Sequence, residues 1–114
     1  QRPPRLAGRK RALELLLTGD AFSPQRALDM GLVNAVVPHE QLIASARALA
    51  GRTIRHSPLA TAAIITAVTR GLNMAIGEGL LCESEQFARM VPSHDLKEGL
   101  AAWKERREPR YAGR

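Results

Sequence analysis

Three histidines, one cysteine and a scatter of carboxylates are the residues that could do chemistry in this chain. His39, His56 and His94 stand far apart, and none has a second donor four residues away, the spacing by which one helix offers two ligands to a metal. Each falls near a predicted helix end, so surface positions are expected and no metal site is. Cys82 is flanked by Glu83 and Glu85, with no cation beside it to favour a thiolate nucleophile, so packing is its expected role. Asp20, Asp29, Glu78, Glu83 and Glu85 are the carboxylates available for acid–base work. Glu83 and Glu85 sit two apart on a predicted helix, point to different faces and cannot share a proton. Gly77-Glu78-Gly79 is a lone pair of glycines and makes a weak phosphate loop. Residue types and spacing therefore assign no catalytic residue.

Charge is more informative. Seventeen Lys and Arg against eleven Asp and Glu leave a net +6, which favours anionic partners such as nucleic acid, acidic lipid or a phosphorylated cofactor. The cations cluster at both ends: Arg2, Arg5, Arg9, Lys10 and Arg11, then Lys104, Arg106, Arg107, Arg110 and Arg114. Fourteen of the seventeen are Arg, whose planar fork matches phosphate oxygens better than an ammonium does. A basic helical nucleic-acid-binding module is therefore the alternative function from a different class, although nucleic acid is a poor fit. Residues 25–37 superficially copy a helix–turn–helix, but the second helix would read Leu32-Val33-Asn34-Ala35-Val36-Val37, with one polar side chain to enter a groove and Pro38 to break it. Aromatics are only 4% of residues, few for stacking on single strands.

The elements that must position these groups are mostly helices. A chain of 114 residues suits one domain, and no apolar stretch approaches the ~20 residues of a membrane helix. A single cysteine excludes an internal disulfide framework and suits a reducing cytoplasm. A first helix is predicted over 9–17, with Leu13, Leu16 and Leu17 on one face and Gly19 at its end. Ser23-Pro24 starts a short second helix that Gly31 closes. Residues 32–37 read as one short strand stopped by Pro38. Further helices are predicted over 39–55, from Ser57-Pro58 to about Gly71, from about Gly79 to Val91, and from Ser93 until Pro109. In the last of these Asp95 lies in the first turn and Arg106 and Arg107 in the last, which suits the helix dipole. The expected fold class is mainly α, about six helices and one strand. A lone strand leaves its backbone groups unpaired and asks for a partner outside these residues.

A series of short motifs runs in order along the chain: Gln1-Arg2-Pro3-Pro4-Arg5-Leu6, Thr18-Gly19-Asp20, residues 27–38, Ser93, Asp95, Glu98-Gly99, Ala102-Trp103 and Glu105-Arg106-Arg107-Glu108-Pro109. This ordered series resembles the C-terminal portion of the enoyl-CoA hydratase/isomerase (crotonase) family. The ending is similar to the family pattern Ser-x-Asp-x-x-Glu-Gly followed by Phe-x-Glu-Lys-Arg-x-Pro, with Trp103 for the usual Phe and Arg106 for the usual Lys. The resemblance implies the helical C-terminal part of an α/β crotonase-like fold. Residues 1–37 would end the spiral core and 38–114 would form a helical oligomerisation region that builds trimers or hexamers. It implies acyl-CoA thioester substrates, with coenzyme A bound only as part of the substrate. The family's acid–base glutamates and oxyanion amides match no position here, so this chain alone is expected to lack catalysis. Phe87 and Arg106 match positions that contact the adenosine and its 3′-phosphate from a neighbouring subunit. Enoyl-CoA hydratase, a cytoplasmic lyase of fatty acid metabolism, is the expected member. Isomerase, decarboxylase or ring-forming synthase chemistry stands as the alternative within the family, although a synthase usually has Tyr just after the Phe87 region, where Ala88-Arg89-Met90 stands.

Overall fold

Proline and glycine punctuate seven α-helices in the computed structural model, which describes residues 1–114. They are α1 (Arg2–Ala7), α2 (Arg9–Thr18), α3 (Pro24–Asp29), α4 (Leu42–Ile54), α5 (Pro58–Gly71), α6 (Ile76–Met90) and α7 (His94–Glu105), with a single 3-10 turn (His39–Gln41) leading into α4. The chain divides into two units, Gln1–Ser45 and Ala46–Arg114, the boundary falling inside α4.

In the first unit α1 holds Pro3 and Pro4 in its first turn, where the missing N–H groups have no helical acceptor anyway. It stands ahead of the first predicted helix and makes seven helices where about six are expected, because the chain starts to wind at the two prolines. Gly8 ends it at φ 80. Gly19 closes α2 in the left-handed region at φ 68 and donates its N–H to Leu15 O at 3.1 Å, as expected for a glycine C-cap. Ser23 Oγ accepts the Arg26 N–H at 3.1 Å, capping α3 without the acidic partner of a full capping box.

The expected strand over 32–37 does not form: these residues run from turn to irregular chain up to Pro38. The sequence supplies no second strand to pair with, and a single extended segment has no ladder to join. The same observation disposes of the helix–turn–helix, because no helix follows α3 where a recognition helix would lie.

In the second unit α5 and α6 pack closely. A Cβ built at Gly79 would lie 3.3 Å from Gly71 O, so two glycines let the helices cross at backbone contact. Tertiary packing thus explains how α6 accommodates Gly79, which local propensity disfavours, whereas Gly77 in the same helix faces open space. Glu78 assists by accepting the Ala75 N–H at 3.4 Å. The buried apolar set is small: Ala12, Ala27, Met30, Cys82 and Ala102. Twenty-three large apolar side chains remain exposed, so the helices present unpartnered apolar faces rather than a closed core. No helix is long and apolar enough to cross a membrane.

Candidate functional site

Ser93 starts α7 by accepting the Leu96 N–H on its Oγ at 3.1 Å. One turn in, Asp95 is the largest side chain that is fully buried, at 1% exposure. Its Oδ2 accepts the Ser57 hydroxyl at 2.5 Å, its Oδ1 accepts the Ala112 N–H at 2.8 Å, and the Gly113 N–H lies 3.1 Å from both oxygens. Ser57 is itself buried and also caps α5 by accepting the Ala60 N–H at 3.3 Å. One carboxylate therefore joins the starts of α5 and α7 to the C-terminal tail. The Ser57 hydroxyl, then the two tail amides, hold the Asp95 carboxyl below the ordinary carboxylate range despite burial, which pushes the other way. His94 Nδ1 stands 3.9 Å from Oδ1 and adds a weaker pull in the same direction.

Glu98 makes the second cluster. Its two oxygens take Arg107 Nη1 at 2.6 Å and Nη2 at 3.0 Å as a forked pair, and Oε1 also accepts the Arg110 N–H at 2.7 Å. The Arg107 donors, then the Arg110 amide, lower the Glu98 carboxyl from 4.5 to about 2. A depressed carboxyl stabilises the fold in its ionised form, so this contribution is complete above the ordinary value and fades as pH falls from 4.5 towards 2. The melting temperature is expected to drop over that interval more steeply in the native chain than in Glu98→Gln, whose side chain carries no charge to lose. Parallel melting curves would show that the pair contributes nothing.

The two residues that matched coenzyme A positions line different depressions. Phe87, on α6, is 65% exposed and lines an apolar groove of ≈ 520 Å³ with Ala60, Ile64, Ala67, Met90 and Leu96. Arg106 is the C-cap of α7 and the only non-glycine residue at positive φ, with φ 54 and ψ 40. Holding a residue with a Cβ in this region costs about 1–2 kcal/mol, which the surrounding contacts must offset. Arg106 lines an open depression with Ala102, Trp103, Lys104 and Arg107. Trp103 is 77% exposed there, so an aromatic face lies beside three cations. From sequence, Trp103 reads as an apolar position of the last helix and a motif variant; its place three residues before Arg106, on the last turn of that helix, is the signal for this neighbourhood.

The other candidates stay apart. No three His, Cys, Asp or Glu side chains converge as a metal site, and Cys82 is buried in α6. Asp95 is the residue that sequence reasoning undervalued. A first-turn acid is explained by the helix dipole alone, and only the folded tail reveals its acceptors' partners.

Comparison with known proteins accounts for the whole chain. The profile of the enoyl-CoA hydratase/isomerase family matches residues 1–114. The mitochondrial enoyl-CoA hydratase domain-containing protein 2 of Bos taurus is 38% identical, over 99% of this chain and 40% of the bovine protein. The 2,3-dehydroadipyl-CoA hydratase of Escherichia coli K12 is 33% identical, over 100% of this chain and 45% of its own length. Among solved structures, the enoyl-CoA hydratase of Bacillus anthracis superposes with a TM-score of 0.97 at 37% identity, covering 100% of this chain and 44% of that one. The chain thus spans less than half the length of the relatives it matches, and corresponds to a helical portion of their fold. It belongs to the enoyl-CoA hydratase/isomerase family.

Proposed function

We propose that this chain forms part of an acyl-CoA-processing enzyme, and that the reaction is addition of water to a 2-enoyl-CoA. The observation that carries the reading is the family match along all 114 residues, among relatives that include a protein named as a CoA-ester hydratase. The division of labour follows the resemblance. Residues 1–37 would end the spiral core, 38–114 would build a homotrimer or hexamer, and acid–base chemistry would come from outside these residues. A family relative named as both isomerase and hydratase keeps double-bond migration as the alternative reaction. A reducing compartment such as the cytoplasm suits the lone buried thiol of Cys82.

In this reading the chain's own contribution is to hold coenzyme A. Arg106 would bind the 3′-phosphate, for which a permanently charged fork is suited, and Phe87 would meet the adenine. Trp103 competes for the adenine role, because it shares the Arg106 depression while Phe87 lies in the α5–α6 groove.

The test is a chimera in which this chain replaces the matching segment of the Bacillus anthracis hydratase. The chimera is expected to hydrate crotonyl-CoA, and the 114-residue chain alone to leave it at the buffer rate. A folded, assembled chimera without hydration would sink the reading that this chain completes a hydratase.

A further inference from the structure

Asp95, Glu98, Gly99 and Ala102 fall at helical spacing on one face of α7, and each meets the chain that follows the helix. Ala102 O accepts the Arg107 N–H at 3.0 Å. Glu98 takes the Arg107 guanidinium and the Arg110 N–H. A Cβ at Gly99 would lie 3.2 Å from the Tyr111 hydroxyl, so the missing side chain makes room for that ring. Asp95 takes the Ala112 and Gly113 amides, and its own N–H donates to Arg114 O at 3.1 Å. The residues therefore run back along the helix in order, from its last turn to its first. The reversal happens at Arg106, in the left-handed conformation that an arginine does not adopt unaided.

We propose that residues 107–114 are a strap laid back on α7, and that Asp95, Glu98 and Gly99 are positioning residues which, through this strap, hold Arg106 in the turn that presents its guanidinium to an anion. The positioning half rests on Arg106 being a phosphate contact; the strap itself does not. The spacing Ser-x-Asp-x-x-Glu-Gly then has a physical meaning. Serine starts the helix, the two acids receive successive parts of the strap, and glycine admits the tyrosine.

The first measurement is amide hydrogen exchange on the assembled hydratase chimera, with this chain's 114 residues native or substituted. The Ala112 and Gly113 amides are expected to be protected in the native chain. Protection should fall at least about tenfold in Asp95→Ala and in Gly99→Val, with mid-helix amides of α5 unchanged as the control for folding. Asp95→Asn, which keeps one acceptor oxygen, should restore part of it. Unprotected tail amides in the native chain, or protection indifferent to these variants, overturn the strap. The second measurement titrates coenzyme A and dephospho-coenzyme A into the same proteins. The native chain is expected to prefer the phosphorylated form, and Gly99→Val to lose that preference as Arg106→Ala does, although it removes no charge. A loosened strap with preference intact overturns the positioning role. A native chain that binds both alike refutes the phosphate reading of Arg106 on which positioning rests, while the exchange data still decide the strap.

Discussion

Arg106→Ala in the hydratase chimera is expected to raise KM for crotonyl-CoA by about 10- to 100-fold with little change in kcat. A charge-assisted contact of this kind contributes ~1.5–3 kcal/mol, and each 1.4 kcal/mol is a factor of ten. The contact lies far from the reacting double bond, so it should act on ground state and transition state alike, which moves KM and spares kcat. The thioester of dephospho-coenzyme A should scarcely register the substitution, because the group Arg106 binds is missing. An aromatic platform for adenine behaves differently: its loss weakens both thioesters equally. Phe87→Ala and Trp103→Ala therefore locate the adenine, since only the residue that touches it should raise both KM values together. Equal penalties from Arg106→Ala on the two thioesters would return Arg106 to a surface position at a strained helix end.

The isolated chain is expected to self-associate and to bind a hydrophobic dye. Leu13, Leu16 and Leu17 share one face of α2 and are exposed by 49%, 63% and 81%. Ile64, Ile65 and Val68 on α5, and Leu72, Ile76, Leu80 and Leu81 after it, are likewise exposed. Burying one such side chain fully is worth about 1.5–3 kcal/mol. Covering half a dozen of them rivals the ~4–15 kcal/mol lost in association, so the apolar faces should meet at micromolar concentration and above. Sedimentation and dye fluorescence against concentration check this directly. A monomer with a sharp, cooperative melt and no dye signal would mean that these helices complete a core in solution that the structure does not show.

Helix ends were legible in the sequence because their causes are local. Ser23, Ser57 and Ser93 each cap the next helix through a hydroxyl three residues from the amide it accepts, and Gly19 and Gly31 adopt the positive φ that a glycine tolerates. The apolar stripes of α2 and α5 were legible for the same reason, since periodicity needs only the helix itself. Family membership was also within reach, because it rests on the order of short motifs along the chain.

The strand failed because pairing is not local: residues 32–37 have the composition of a strand, but no second strand in these residues supplies a ladder. The glycines of α6 misled for a related reason. Gly77 and Gly79 disfavour a helix on their own, and the close crossing with Gly71 that repays Gly79 exists only once α5 is beside it. That Phe87 and Arg106 line different depressions depends on which faces of α6 and α7 the fold turns to solvent. The role of Asp95 depends on a tail whose amides, 17 and 18 positions later in the chain, return to it. By itself the sequence determined where helices start and stop, which faces are apolar and which family the chain belongs to. Only the tertiary structure decided which polar groups meet, because a buried carboxylate is satisfied by donors that sequence distance hides.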